Sequence, residues 1–574
     1  MGGKHVFLMT TGVLAAMGFA TGSMAASPVP GSAGCAAMAN AGRFTADPTA
    51  RIDAAVWHGT PETIQTQVAP GYSVPVNVAP HCELTGRLQQ RTGVNGQSYV
   101  IRYHLRLPAA WNGKFFFQGG GGSNGELGDA MGRMGAGASA LDQGYAVVSQ
   151  DSGHDNGVNS DEAFNGAVAF GFDPVARENY GHTSLKLVAD TAKSLISRYY
   201  GRKARYSYFV GCSKGGQEGM TFAQMYPDEF DGIIAAAPGF SLPRAAIAEA
   251  WDVQSFAELL PASERNGDLG TLFKTFSAPD FDLLRGAILA ACDDDDGLVD
   301  GIVGDIYRCT DDKVHAKLAA VTCRGDKTDA CVSPAQIAAL DRVIGGPRSG
   351  SGRPIYASWF WPAGIAGDAW RMWKIGSADG RVPPLNVVLG GASLAAVFTT
   401  PPTALRGQQA IAQYQMQFDF DRDAPGIYTV AAPFTTSAWH DVGSRSPDLA
   451  AFKAHGGRLI VPHGDSDPVF SLKDTLAWYD EVDHLNGGRA GSFARVFPVP
   501  GMCHCGGGQA TDNYDAFTAL VSWVETGKAP DYLLATAGPQ SLWPGRQRPV
   551  CAYPKVARYK GGDTEKATSF ECKT

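Results

Sequence analysis

The apolar run YSYFVG leads without a break into Gly211-Cys212-Ser213-Lys214-Gly215, and a helix-like stretch then continues through Met220 and Phe222. A G-x-S-x-G pattern set between a strand and a helix leaves little choice of local fold. Glycine has no Cβ, so the backbone can turn sharply there and lift the serine hydroxyl into the open. In a chain with 71 glycines the pattern alone would also describe an ordinary tight turn. Strand before and helix after favour Ser213 as a nucleophile on an α/β sheet.

A serine hydroxyl attacks poorly until a neighbouring base takes its proton, and on this architecture the acid and then the histidine follow the serine along the chain. Both appear in that order. Asp467 falls in the loop after GRLIVPHG, and His504 in the loop after FARVFPVPG. Among 12 histidines, His154, His455, His463 and His484 compete, each readable as a structural hydrogen-bonding residue. Position and flanking glycines favour His504. Asp465, two residues before Asp467, could serve the imidazole from the same loop, and the pattern by itself does not separate the two.

The run Gly119 to Gly122 follows the apolar KFFFQ. Acyl transfer on this fold needs two backbone N–H groups aimed at the developing oxyanion, each worth ~3 kcal/mol. Gly122 or its neighbour is expected to supply one, and Lys214, next after the nucleophile, the other. A phosphate cradle is excluded because no Lys-Ser/Thr ending follows.

Apolar runs alternate with helical patterns at KFFFQ, GYAVVSQ and YSYFVG, the rhythm of a parallel sheet with crossover helices. After DGIIAAAPG the rhythm stops, and it returns at GRLIVPHGDSD and FARVFPVPGMCH. The expectation is an α/β-hydrolase fold with a large inserted lid. Residues 27–239 and 434–574 would form the catalytic domain, and 240–433 the lid.

At 574 residues the chain can bury a sizeable core, and 44% hydrophobic against 18% charged residues is a globular balance. A net charge of -8, with no Lys/Arg run, argues against nucleic acid. Lys4, an apolar run from Val6 to about Ala20 and Ser23-Met24-Ala25 read as a secretory signal over residues 1–26. The run is short for a spanning helix, so no membrane partner is expected after cleavage and the location is periplasmic or secreted. Eleven cysteines in an exported chain predict disulfides with one thiol left over. Adjacent Cys503, His504 and Cys505 suit a disulfide beside the histidine better than a tetrahedral zinc.

CDDDDGLVD, Cys292 to Asp300, holds five acids in nine residues. Their repulsion is relieved by a hard cation, and oxygen ligands suit Ca²⁺. It is not an EF-hand, since aligning Gly297 to that loop's glycine puts Cys292 at the first ligand position and Val303 at the last. A solvated acidic loop is the plainer alternative.

Cys212-Ser213, Asp467 in HGDSDPVF and His504-Cys505 in PGMCHC, together with DSGHDNGVN, CDDDDGLVDGIV and ARYKG, resemble the tannase and feruloyl esterase family across nearly the whole mature chain. The resemblance implies a Cys212–Cys505 disulfide and selects Asp467 over Asp465. It further implies the pairs Cys35–Cys82, Cys292–Cys309, Cys323–Cys331 and Cys551–Cys572, leaving Cys503 as an odd thiol and a possible exchange partner for Cys505. A structural Ca²⁺ would be held by the side chains of Asp293, Asp296 and Asp300 and the carbonyls of Leu298 and Ile302.

In the lid, Trp373 matches an aromatic that packs on the substrate ring of a terephthalate-monoester hydrolysing member, and Phe470 matches another wall. The arginine that grips the free carboxylate there has no clear counterpart. Leu385 takes its place, with Arg381 nearby. The resemblance therefore implies a serine carboxylic-ester hydrolase for small esters of phenolic acids such as ferulate or gallate, with a terephthalate monoester as the alternative. A serine peptidase is a further alternative, and a non-catalytic exported binding protein on the same fold would show a broken triad. None of the three positions is broken.

Overall fold

A computed structural model describes residue 1 and residues 31–45, 47–69, 72–132, 139–265, 269–539 and 541–574. Apart from Met1, the expected signal segment lies outside the described residues.

The centre is a nine-stranded sheet. In spatial order its strands are Arg51–His58, His81–Thr92, Ser98–Pro108, Ala146–Gln150, Lys114–Gln118, Tyr206–Cys212, Gly232–Ala236, Arg458–Gly464 and Ala494–Val499. The last six run parallel, while the first three meet one another and Ala146–Gln150 antiparallel. The sheet is thus mixed, where the rhythm of the apolar runs suggested parallel strands alone. The N-terminal strands His81–Thr92 and Ser98–Pro108 alternate buried with more exposed positions over part of their length, as hairpin strands with one wetter face do.

The parallel strands are largely apolar because both faces are covered. Phe115, Phe117, Phe209, Ile233, Leu459 and Val461 enter one core. Phe116, Tyr208, Ile234 and Ile460, at alternating positions, enter the other. This period of two is what a pleated strand imposes.

Gly232–Ala236 and Arg458–Gly464 are neighbours in the sheet although more than 200 residues separate them in the chain. Among the described residues the intervening segment contributes no named strand, only helices such as Leu242–Ala257, Ala278–Cys292, Pro334–Gly345, Asp368–Lys374 and Gly407–Gln417. The fold is an α/β-hydrolase carrying a large helical insertion over the ends of its parallel strands. No described helix is long and apolar enough to cross a membrane.

Five disulfides pair Cys35–Cys82, Cys212–Cys505, Cys292–Cys309, Cys323–Cys331 and Cys551–Cys572. These are the pairs that the resemblance implied. Cys503 is a buried free thiol, pushed up to about 12 by burial and by the nearby Asp467 and Asp465.

Candidate active site

Ser213 stands between the strand Tyr206–Cys212 and the helix Lys214–Met225 with φ 64° and ψ -119°, a conformation rarely tolerated by a residue with a side chain. The strain rests on the serine itself, and the glycines contribute room. A Cβ on Gly211 would lie 2.5 Å from the Gly215 carbonyl carbon, and one on Gly215 would lie 2.7 Å from Gly120 O. Ser213 N donates to Ala236 O at 3.1 Å and Gly239 N donates to Ser213 O at 3.0 Å, which pins the turn on both sides.

Asp467 and His504 come from the loops after Arg458–Gly464 and Ala494–Val499 respectively, as their sequence positions suggested. His504 Nδ1 donates to Asp467 Oδ2 at 2.8 Å, and Oδ1 of the same carboxylate accepts from the N–H groups of Val469 at 2.7 Å and Phe470 at 3.1 Å. His504 Nε2 is buried and finds no partner among the described residues, the atom left open to take a proton. Complete burial alone would raise the Asp467 carboxyl. The facing His504, with hydrogen bonds from His463 and His504, outweighs that and holds it well below the usual carboxylate range.

Asp465 is turned away. Its Oδ1 accepts from Ser466 Oγ and Gly501 N, both at 2.8 Å, and burial pushes the carboxyl up to about 7 against those bonds. The two aspartates that the pattern left level are separated by orientation.

His463, one of the competing histidines, proves to be a partner of the acid. Its Nε2 lies 3.1 Å from Phe470 O and 3.3 Å from Asp467 Oδ2, both acceptors, so the ring proton sits on Nε2, and Nδ1 accepts from Thr475 Oγ1 at 2.9 Å. The other competitors lie elsewhere: His154 is stacked on Phe170, His455 faces Asp228 at 3.6 Å, and His484 is exposed near the end of Leu472–Leu485.

In the glycine run, Gly119 N donates to Val210 O, Gly120 N to Glu218 Oε2 and Gly121 N to Asn124 Oδ1. Gly122, at φ 59°, is the first whose N–H meets no acceptor among the described residues, and it lines a cavity together with Ser213 and Lys214. Lys214 opens its helix, so its N–H has no intrahelical acceptor. Glu218, missed in the sequence, ties these parts together. Fully buried, it accepts from Gly120 N at 2.9 Å, Asn124 Nδ2 at 2.7 Å and Lys214 Nζ at 3.1 Å. Its spacing of four from Lys214 was the available signal.

Trp373 and Phe470 both line the cavity and set their rings edge-on to His504, with centroids 5.6 and 5.3 Å away. The remaining wall is largely apolar, including Leu242, Leu389, Phe398 and Val469. Arg381 is not part of it. Its side chain is 86% exposed and paired with Asp379, so no arginine takes up the place held by Leu385.

The acidic loop folds as a short turn, Asp293–Asp296, closed by Gly297 at φ 97°. Asp293 and Asp296 are buried. Burial, then repulsion from Asp300 and Asp293, pushes Asp296 up to about 7 despite a hydrogen bond from Leu298 N, and Asp293 is raised as well. Carboxylates crowded in this way fit a bound divalent cation. The loop is docked on the C-terminal segment, where Arg548 contacts the Asp300 carboxylate and Arg546 donates to Asp300 O at 2.8 Å. A second group, His58, His81 and Glu83, gathers three ligand-type side chains. The His58 and His81 rings are stacked 4.6 Å apart and 7° from parallel, so one ion cannot lie in both ring planes, and Arg106 already donates to His81 Nε2 at 2.6 Å. That group is an ion-pair network.

The family model for tannase and feruloyl esterase matches residues 82–573. The chain is 41% identical over 569 residues to a mono(2-hydroxyethyl) terephthalate hydrolase of Piscinibacter sakaiensis, covering 95% of this chain and 92% of that one. It is 30% identical over 495 residues to a probable feruloyl esterase of Arthroderma benhamiae, covering 84% and 83%. Among solved structures, feruloyl esterase B from Aspergillus oryzae superposes with a TM-score of 0.70 at 21% identity, covering 94% of this chain and 99% of that one. Tannin acyl hydrolase from Aspergillus niger superposes with a TM-score of 0.65 at 20% identity, covering 96% of each.

Proposed function

The chain belongs to the tannase and feruloyl esterase family and is a carboxylic ester hydrolase; we propose that it works as an exported serine esterase on small esters of phenolic acids such as ferulate or gallate. The observation that carries this reading is a cavity lined by a strained Ser213 and by Trp373 and Phe470, whose rings also pack on His504, itself held at Nδ1 by Asp467, with no arginine among the described lining residues.

Ser213 Oγ attacks the ester carbonyl while His504 Nε2 takes its proton. The N–H groups of Gly122 and Lys214 stabilise the oxyanion, and His504 returns the proton to the departing alcohol. Water then clears the acyl-enzyme by the same route. Asp467 keeps the imidazole proton on Nδ1 and steadies the imidazolium, with His463 as a second donor to the carboxylate. Trp373 and Phe470 hold the acyl ring beside His504. A Ca²⁺ held by Asp293, Asp296, Asp300 and the carbonyls of Leu298 and Ile302 would neutralise the acidic loop and fix its shape where it docks on Arg546 and Arg548, without taking part in any bond-making step. The signal segment and the disulfides favour a periplasmic or secreted location.

Turnover of methyl ferulate, methyl gallate, mono(2-hydroxyethyl) terephthalate and a peptide anilide tests the assignment. The phenolic esters are expected to give the highest kcat/KM and the anilide none. A terephthalate monoester preferred tenfold or more over both phenolic esters would overturn the substrate class, and hydrolysis of the anilide alone would overturn the reaction class.

A further inference from the structure

Glu249, on the helix Leu242–Ala257, lines the same cavity as Ser213, Trp373 and Phe470. Its residue is 6% exposed, and among the described residues no group donates a hydrogen bond to its carboxyl. The nearest cation is already taken: Lys374 Nζ contacts the Asp252 carboxylate, which also accepts from Asn386 Nδ2 at 3.2 Å. The carboxyl is seated on bare backbone, since a Cβ on Gly390 would lie 1.7 Å from Glu249 Oε2. A buried polar group without a partner is costly and rare, and in the wall of a binding cavity a ligand is its natural partner. Apart from Lys214, which is committed to Glu218, no other charged residue among those described lines the cavity.

We propose that Glu249 is a specificity-determining residue that recognises a hydroxyl on the aromatic acyl ring of the substrate. This rests on the esterase reading above. A phenolic hydroxyl gives the carboxyl the donor it lacks and brings no charge. A ring carrying a carboxylate would place a second acidic group beside Glu249 with no free cation to balance it. Burial, helped by Asp252 and opposed by Lys374, pushes the Glu249 carboxyl up to about 8, so near neutral pH it is largely uncharged and can bond a hydroxyl, while a ring carboxylate would still bring a buried charge without a cation. A site built to bond a hydroxyl discriminates strongly against the analogue lacking it.

The test compares methyl 4-hydroxycinnamate, methyl cinnamate and the terephthalate monoester on the wild type, E249L and E249Q, with melting temperatures to confirm folding. The wild type is expected to favour the hydroxylated over the plain cinnamate at least tenfold in kcat/KM, and E249L to bring that ratio close to one. E249Q, whose amide can donate to a carboxylate, is expected to raise the terephthalate monoester relative to the hydroxycinnamate and keeps the test open if E249L does not fold. A hydroxyl preference unchanged in a folded E249L, or a terephthalate-to-hydroxycinnamate ratio unchanged in a folded E249Q, would overturn the inference and leave the esterase reading standing. A wild type that cleaves none of the three esters would overturn that reading instead.

Discussion

The disulfide between Cys212 and Cys505 joins the residue before Ser213 to the residue after His504, with Cα atoms 6.0 Å apart. It spans 293 residues and ties the end of the strand Tyr206–Cys212 to the loop that carries His504, which the sheet alone would hold only through packing. A bond of this kind contributes about 2–4 kcal/mol to stability, and here it also fixes the distance between nucleophile and base. The double variant C212A/C505A should therefore lose at least tenfold in kcat at temperatures where its near-ultraviolet circular dichroism is still native. C551A/C572A, which opens a bridge away from the cavity, should lose stability with kcat little changed. Equal effects of the two on kcat would contradict the claim.

The two aspartates of the acid loop should separate sharply. D467N keeps the shape of the loop but turns the imidazole to the wrong tautomer, and a loss of about 10⁴-fold in kcat is expected. D465N should stay within tenfold of the wild type, as measured by steady-state kinetics on methyl ferulate.

Asp465 also gives a pH signature. Its folded carboxyl is raised from 3.8 to about 7, so the folded state binds more protons than the unfolded state between those values. Stability from this group falls as pH rises from about 4 through about 7, by up to a few kcal/mol. D465N removes the titration. Urea midpoints of wild type and D465N should diverge between pH 4.5 and pH 8, with the wild type losing ground at the higher pH.

Much of this site was legible in the sequence because each part sits at the end of an apolar run. Ser213 and His504 could be placed by strand, loop and chain order, whereas the choice of Asp467 over Asp465 needed the family resemblance. What was not legible depends on contacts across the chain. His463 and Asp465 look equivalent to their neighbours until side-chain direction is known. Glu218 and Glu249 lie on helices whose spacing says nothing of the glycine run 98 residues away or of the backbone of Gly390. The antiparallel edge escaped for a different reason: strands with one partly solvated face carry a weaker apolar signal than the doubly buried parallel ones.

Glu218 holds the glycine loop and Lys214 through one carboxylate, so its loss should be felt at the oxyanion. E218Q keeps the volume but weakens three bonds at once. A fall of about 10–100-fold in kcat with KM within threefold is expected, since the affected donors act mainly in the transition state. A change confined to KM would contradict this.

Chelation should lower the melting temperature by several degrees, and Ca²⁺ should restore it better than Mg²⁺, whose smaller octahedral shell suits this donor set poorly. D296N should be insensitive to chelator. An unchanged melting curve in the wild type would remove the cation from the account.

The central claim is that Ser213 is the nucleophile, and the rate of S213A on methyl ferulate tests it most directly. A fall of 10⁴-fold or more in kcat, with the melting temperature within a few degrees of the wild type, is the predicted result. A folded S213A within tenfold of the wild-type rate would contradict it.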